Sequence, residues 1–103
     1  IFNDDDISMT LETPNGNKMV ISDADGGIKL EDENGNFIEM NSEGITIESA
    51  TAINYKSGTD TTIESGTNLD IKAGTQLKAE GAAGAEVSTG AIAILKGSLV
   101  QIN

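Results

Sequence analysis

Residues 58–74 read GTDTTIESGTNLDIKAG, with Gly58, Gly66 and Gly74 eight apart and each followed by Thr. Extending that frame both ways gives SEGITIES, ATAINYKS, GTDTTIES, GTNLDIKA, GTQLKAEG, AAGAEVST and GAIAILKG, from Ser42 to Gly97. Most segments hold two candidate inward side chains two residues apart: Ile45 with Ile47, Ile53 with Tyr55, Thr61 with Ile63, Leu69 with Ile71, Leu77 with Ala79, Ala85 with Val87. A period of two places both on one face of a short strand. Glu48, Lys56, Glu64, Asp70, Lys72 and Lys78 fall on the other face or at corners. After one deletion the pairs continue as Ile92 with Ile94 and Val100 with Ile102. A sharp corner must close each segment. It needs a residue with little or no Cβ, because the backbone there takes positive φ or meets a neighbouring chain closely. Gly58, Gly66, Gly74 and Gly90 meet that need, with Ala50 and Ala82 as substitutes.

Upstream the repeat lengthens. NGNKMVIS from Asn15 and NGNFIEMN from Asn34 align across nineteen residues, pairing Met19 with Ile21 and Ile38 with Met40. Ile28 and Leu30 lie between them, Met9 and Leu11 ahead. The turns carry Asn15-Gly16, Asp25-Gly26-Gly27, Asn34-Gly35 and Glu43-Gly44, dipeptides that favour the positive φ of a tight strand-to-strand connection. About eleven short strands and no helix follow, one strand per repeat, the pattern of a β-helix. Residues 1–14 are read as a leader with the first strand, the acidic Asn3–Asp6 being solvated and frayed. Residues 15–103 are read as one shaft-and-tip domain, a piece of a longer protein.

Composition narrows the function. Aromatics amount to 3%, with no Trp, so the packing is thin and β-branched rather than bulky. A net charge of −11 argues against nucleic acid or an anionic membrane surface as a binding partner. There is no Cys and no His, so the carboxylates have no companions with which to build a catalytic pocket, and neither enzyme activity, metal nor cofactor is expected. Asp23 and Asp25 have the Asp-x-Asp spacing of a calcium loop. Ile28 and Asn34 stand where such a loop needs Gly and Glu, so a turn is the expectation.

Two architectures share the octad. Three octads could close one coil of a single-chain solenoid, or three chains could wind round one axis with each supplying one face per layer. Burial favours three chains: pairs as small as Leu77 with Ala79 bury little alone, whereas three copies meeting on an axis form stacked apolar layers without open lateral edges. The expected fold is thus all-β, an intertwined homotrimeric triangular β-helix (a β-prism). Its core is Met19, Ile21, Ile28, Leu30, Ile38, Met40, Ile45, Ile47, Ile53, Ile63, Leu69, Ile71, Leu77, Val87, Ile92 and Ile94. About eleven layers at about 4.8 Å give a shaft of about 50 Å.

The run from NGNFIEMN through GITIES and the Gly-Thr octads, with the ending KGSLVQIN, resembles the C-terminal β-helix of VgrG spike proteins of type VI secretion systems. It is similar in kind to the needles of contractile-phage cell-puncturing devices. The resemblance implies a secreted, injected structural protein, assembled in the bacterial cytoplasm on a contractile apparatus. It further implies a rigid membrane-puncturing trimer, carrying a PAAR-type tip protein and effector cargo, joined to hub and tube through further N-terminal domains. The histidine cage for iron of some spikes has no counterpart here. The C-terminal residues Leu99, Val100, Gln101, Ile102 and Asn103 are the expected docking platform for the tip partner. The alternative is a single-chain solenoid that binds ice or glycans through the column Thr59, Thr67 and Thr75; beside a glycine corner that column is more simply read as turn capping.

Overall fold

The computed structural model describes residue 5, residues 7–103 and the backbone of the strand Phe2–Asn3. Asp4 and Asp6, within the expected acidic leader, lie outside the described residues. The chain divides into two compact units, residues 1–61 and 62–103.

In the first unit six strands follow in chain order: β1 Phe2–Asn3, β2 Ser8–Glu12, β3 Lys18–Ser22, β4 Gly27–Glu31, β5 Phe37–Asn41 and β6 Gly44–Glu48. Each pairs antiparallel with the next, giving a six-stranded meander. No helix occurs among the described residues. The boundary expected after residue 14 falls in the turn between β2 and β3, so Ser8–Glu12 belongs to the same sheet as the strands that follow.

The turns are where the glycine dipeptides place them. Gly16, Gly26, Gly35 and Gly44 have φ of +98°, +70°, +90° and +127°, a region that L side chains enter only at a cost. Gly27 is glycine for a different reason: a Cβ there would run into the Met40 carbonyl across the β4–β5 ladder. Ile7 holds φ +47° without that freedom. Its carbonyl accepts the Asp23 N–H at 3.0 Å, tying the start of β2 to the β3–β4 turn.

The register sorts the side chains into rows across the sheet. Leu11, Met19, Leu30, Ile38 and Ile47 stand opposite one another in succession, and so do Met9, Ile21, Ile28, Met40 and Ile45. All five expected apolar pairs therefore share one face. The other face carries Thr10, Val20, Lys29, Glu39 and Thr46 in one row and Glu12, Lys18, Glu31, Phe37 and Glu48 in another. Lys29 Nζ lies 4.8 Å from the Phe37 ring centroid, and Glu31 receives Lys18 at 3.7 Å and Lys29 at 3.6 Å. Such exposed pairs contribute little stability; they leave this face polar.

From Ala50 to Asn103 the chain forms no paired strand, so the eleven strands expected become six within one chain. Extended segments alternate with bends at residues 50–51, 58–59, 66–67, 74–75, 82–83, 90–91 and 98–99. The reason is geometric: a strand is defined by a ladder partner, and every corner turns the next segment away from the last. A single-chain coil would pair segments three octads apart, and none does so here. The bends also keep a spacing of eight to the end, which corrects the deletion expected before Ile92.

Candidate functional site

The sheet of the first unit has its faces the wrong way round for a chain on its own. Polar-face residues such as Lys18, Val20, Lys29, Glu31 and Phe37 are half-buried, whereas the apolar rows are exposed, from 37% at Ile28 and Met40 to 70% at Ile45. No hydrophobic side chain is buried among the described residues. An open hollow of about 830 Å³ lies along the row Leu11, Met19, Leu30, Ile38 and Ile47, with Ile53 on its wall. A continuous apolar surface of this kind marks a contact surface rather than a small-molecule site.

The loops at the ends of the strands are held by an asparagine ladder. Asn17 donates its N–H and Nδ2 to Thr13 Oγ1 at 3.2 and 3.1 Å, and its Oδ1 accepts the Glu33 N–H at 3.1 Å. Nineteen residues on, Asn36 donates its N–H and Nδ2 to the Asp32 carboxylate at 3.0 and 2.8 Å, and its Oδ1 accepts the Ala50 N–H at 2.8 Å. Each asparagine thus closes its own turn and grips the next connection. The Asn36 side chain, followed by the backbone N–H groups of Asn36 and Asn34, holds the Asp32 pKa down at about 2, since each bond favours the ionised form. Sequence reasoning aligned the two NGN runs by their glycines and missed the third residue. The signal was Thr or Asp four positions earlier, able to receive that asparagine.

In the octads the corners are fastened by serines. Ser49, Ser57 and Ser65 donate their hydroxyls to the carbonyls of Ala52, Asp60 and Asn68 at 2.8, 2.8 and 2.6 Å. Ser49 and Ser57 also accept the N–H of Thr51 and Thr59 at 3.3 and 3.4 Å, and Thr89 accepts that of Ala91 at 3.1 Å. In the same place the other octads carry Ala73, Gly81 and Gly97. Capping by the threonine column is thereby corrected. Turn closure falls to the residue before the glycine, because a hydroxyl there reaches across the bend. The reason given for the corner glycines is corrected in part. Gly58, Gly66, Gly74 and Gly90 have no positive φ, and a Cβ on any of them would meet nothing of the chain within 4 Å. Gly81 differs, since its own chain hems it in: a Cβ would strike the Gly84 carbonyl.

The expected core residues of the second unit stand open. Ile63, Leu69, Ile71 and Leu77 are 55–70% exposed, and Val87, Ile92 and Ile94 more so. At the C-terminal end Leu99 and Ile102 are largely exposed and Val100 about half, with Gln101 and Asn103 exposed beside them. The Asp23–Asp25 stretch builds a turn, Gly26 N–H donating to the Asp23 carbonyl at 3.2 Å and Asp25 N–H to Ser22 Oγ at 3.0 Å. Among the described residues no three acidic side chains converge on a common point.

Apolar rows without cover, strands without ladder partners and glycines without a reason inside the chain all call for identical neighbours. Over residues 8–103 the sequence matches the phage baseplate V C-terminal trimerisation domain, and the chain belongs to that family. No curated protein matches it.

Proposed function

We propose that the chain is the β-helical spike of a contractile injection machine of the VgrG type, in which three copies wind into a triangular prism. A trimerisation segment of a phage-tail-like spike is what the family establishes; the intertwined prism and the secretion machine are our reading. One observation carries it: no apolar side chain is buried among the described residues, although two unbroken apolar rows cross the sheet. Three sheets facing inward would cover those rows. Three octad runs side by side would give every extended segment a ladder partner on each side. A third chain passing each corner would explain Gly58, Gly66, Gly74 and Gly90.

The mechanism is mechanical. Segments laced to two neighbours by backbone hydrogen bonds cannot peel one at a time, so the shaft transmits axial force without unravelling. The chain carries no catalytic role in this reading. The exposed residues Leu99, Val100 and Ile102 end the prism in an apolar triangle that seats a PAAR-type cone protein and, through it, effector cargo. Hub and tube engage the other end, and the whole is delivered from the cytoplasm through the target membrane. Light scattering tests the assembly: about 32 kDa, three chains of 10.7 kDa, is expected, and about 11 kDa refutes it. Retention of a PAAR-type protein by the wild type, and its loss on truncation before Leu99, tests the tip.

A further inference from the structure

The last full octad keeps its corner but changes its faces. The bends at 90–91 and 98–99 stay in phase with those before them. Thr89 accepts the Ala91 N–H just as Ser57 accepts that of Thr59, so the corner ahead of Ile92 is built like the corner ahead of Asp60. Counted from that corner, Ala93 and Leu95 hold the places of Leu69 and Ile71, while Ile92 and Ile94 hold those of Asn68 and Asp70. In the preceding octads these last two places carry Asp60 and Thr62, Asn68 and Asp70, Gln76 and Lys78, Gly84 and Glu86. Alternate side chains of an extended segment point opposite ways. Ile92 and Ile94 therefore leave the face of Leu69 and Ile71.

The charge changes at the same point. All 17 acidic residues lie at or before Glu86, and from residue 87 to Asn103 Lys96 is the one charged side chain. A pair of isoleucines where no earlier octad carries a large apolar residue (Ala52 with Asn54 being the least polar), in a stretch stripped of acid, has the composition of a contact patch.

We propose that Ile92 and Ile94, with Lys96, form an outward apolar belt just before the tip, gripped from the side by a protein cap whose socket is apolar and rimmed with acid. The proposal rests on the trimeric reading and deepens the docking assigned to the tip. Lys96 draws the acidic rim on, and the carboxylates from Glu86 backward repel it, so the cap stops at the belt. The interior of this octad is then Ala93 and Leu95, in place of the Ile92 and Ile94 expected from sequence.

The test uses the full chain and a PAAR-type cone protein as probe. Ile92→Asn with Ile94→Asp gives the belt the residues of the fourth octad, and Leu95→Asp strikes the interior. The double variant is expected to keep the wild-type mass and to bind the cone protein at least about tenfold more weakly, while Leu95→Asp does not assemble. Dissociation of the double variant, or assembly of Leu95→Asp, overturns the assignment of faces. A trimeric double variant that binds the cone protein like wild type overturns the belt, and so does a wild type that does not bind it. Binding to phosphatidylserine vesicles that needs the belt, with cone binding untouched, overturns it in favour of a membrane surface. A monomeric wild type sinks the trimeric reading itself and is distinguishable from all of these.

Discussion

Replacing Ile71 by Asp separates one chain from three. In the isolated chain Ile71 is 65% exposed, so a monomer loses little of its burial. Substitutions at such positions usually change stability by no more than about 0.5 kcal/mol. In the proposed prism the same side chain would be covered in each of the three chains. Full burial of an isoleucine is worth about 1.5–3 kcal/mol, so three copies withdraw on the order of 5–9 kcal/mol from the assembly. That alone rivals the whole stability of an ordinary domain. The three carboxylates, brought together without a cation, add repulsion and desolvation of the same sign. Light scattering across a concentration series is the assay, with Asp70→Asn on the opposite face as control. The expected result is about 11 kDa for Ile71→Asp and about 32 kDa for the control, one chain being 10.7 kDa. An Ile71→Asp protein of unaltered trimeric mass and unfolding midpoint refutes the inward face.

Other outcomes follow from the corners and loops. Ser57→Ala and Ser65→Ala each remove a hydroxyl bond to a carbonyl and should cost about 0.5–1.5 kcal/mol per chain by thermal unfolding; Ala73→Ser, at an unfastened corner, should recover a similar amount. Gly35→Ala, at φ +90°, should lose about 1–2 kcal/mol, and Gly27→Ala, against the Met40 carbonyl, about 1–3 kcal/mol, both in guanidinium melts. Because the folded Asp32 pKa is lowered from 3.8 to about 2, its contribution is fully present above pH 4 and is lost as the pH falls toward 2. Asp32→Ala should flatten that part of the acid-unfolding curve, and a carboxyl titration of Asp32 by NMR should give a midpoint near the lower value.

Much of this was legible in the sequence because glycine records geometry. Gly16, Gly26, Gly35 and Gly44 announced their turns correctly, since only positive φ demands glycine beside Asn, Asp or Glu there. The alternation of Met19 with Ile21 and Ile38 with Met40 gave the apolar face, because the pleat has a period of two. The octads announced their corners to the residue. Side-chain staples escaped, since Ser49, Ser57 and Ser65 look like ordinary polar filler until their partners three residues on are known. Strand number escaped too: a ladder belongs to two segments, and for residues 50–103 the second lies in none of the described residues of this chain. In the run AIAIL both parities are apolar, so composition alone does not choose between Ile92 and Ala93.

The unequal turns of the meander, at residues 13–17, 23–26, 32–36 and 42–43, bear on how copies find their alignment. Octads as alike as GTDTTIES and GTNLDIKA would accept a neighbour shifted by one repeat with scarcely any penalty, like a zip fastened one tooth out. A meander with loops of five, four, five and two residues offers one near-match, a shift of nineteen residues, and there a four-residue turn would face a two-residue one. If three copies wind together as proposed, these unequal loops would be the key that sets the teeth, and a shaft lacking them would be expected to assemble ragged-ended.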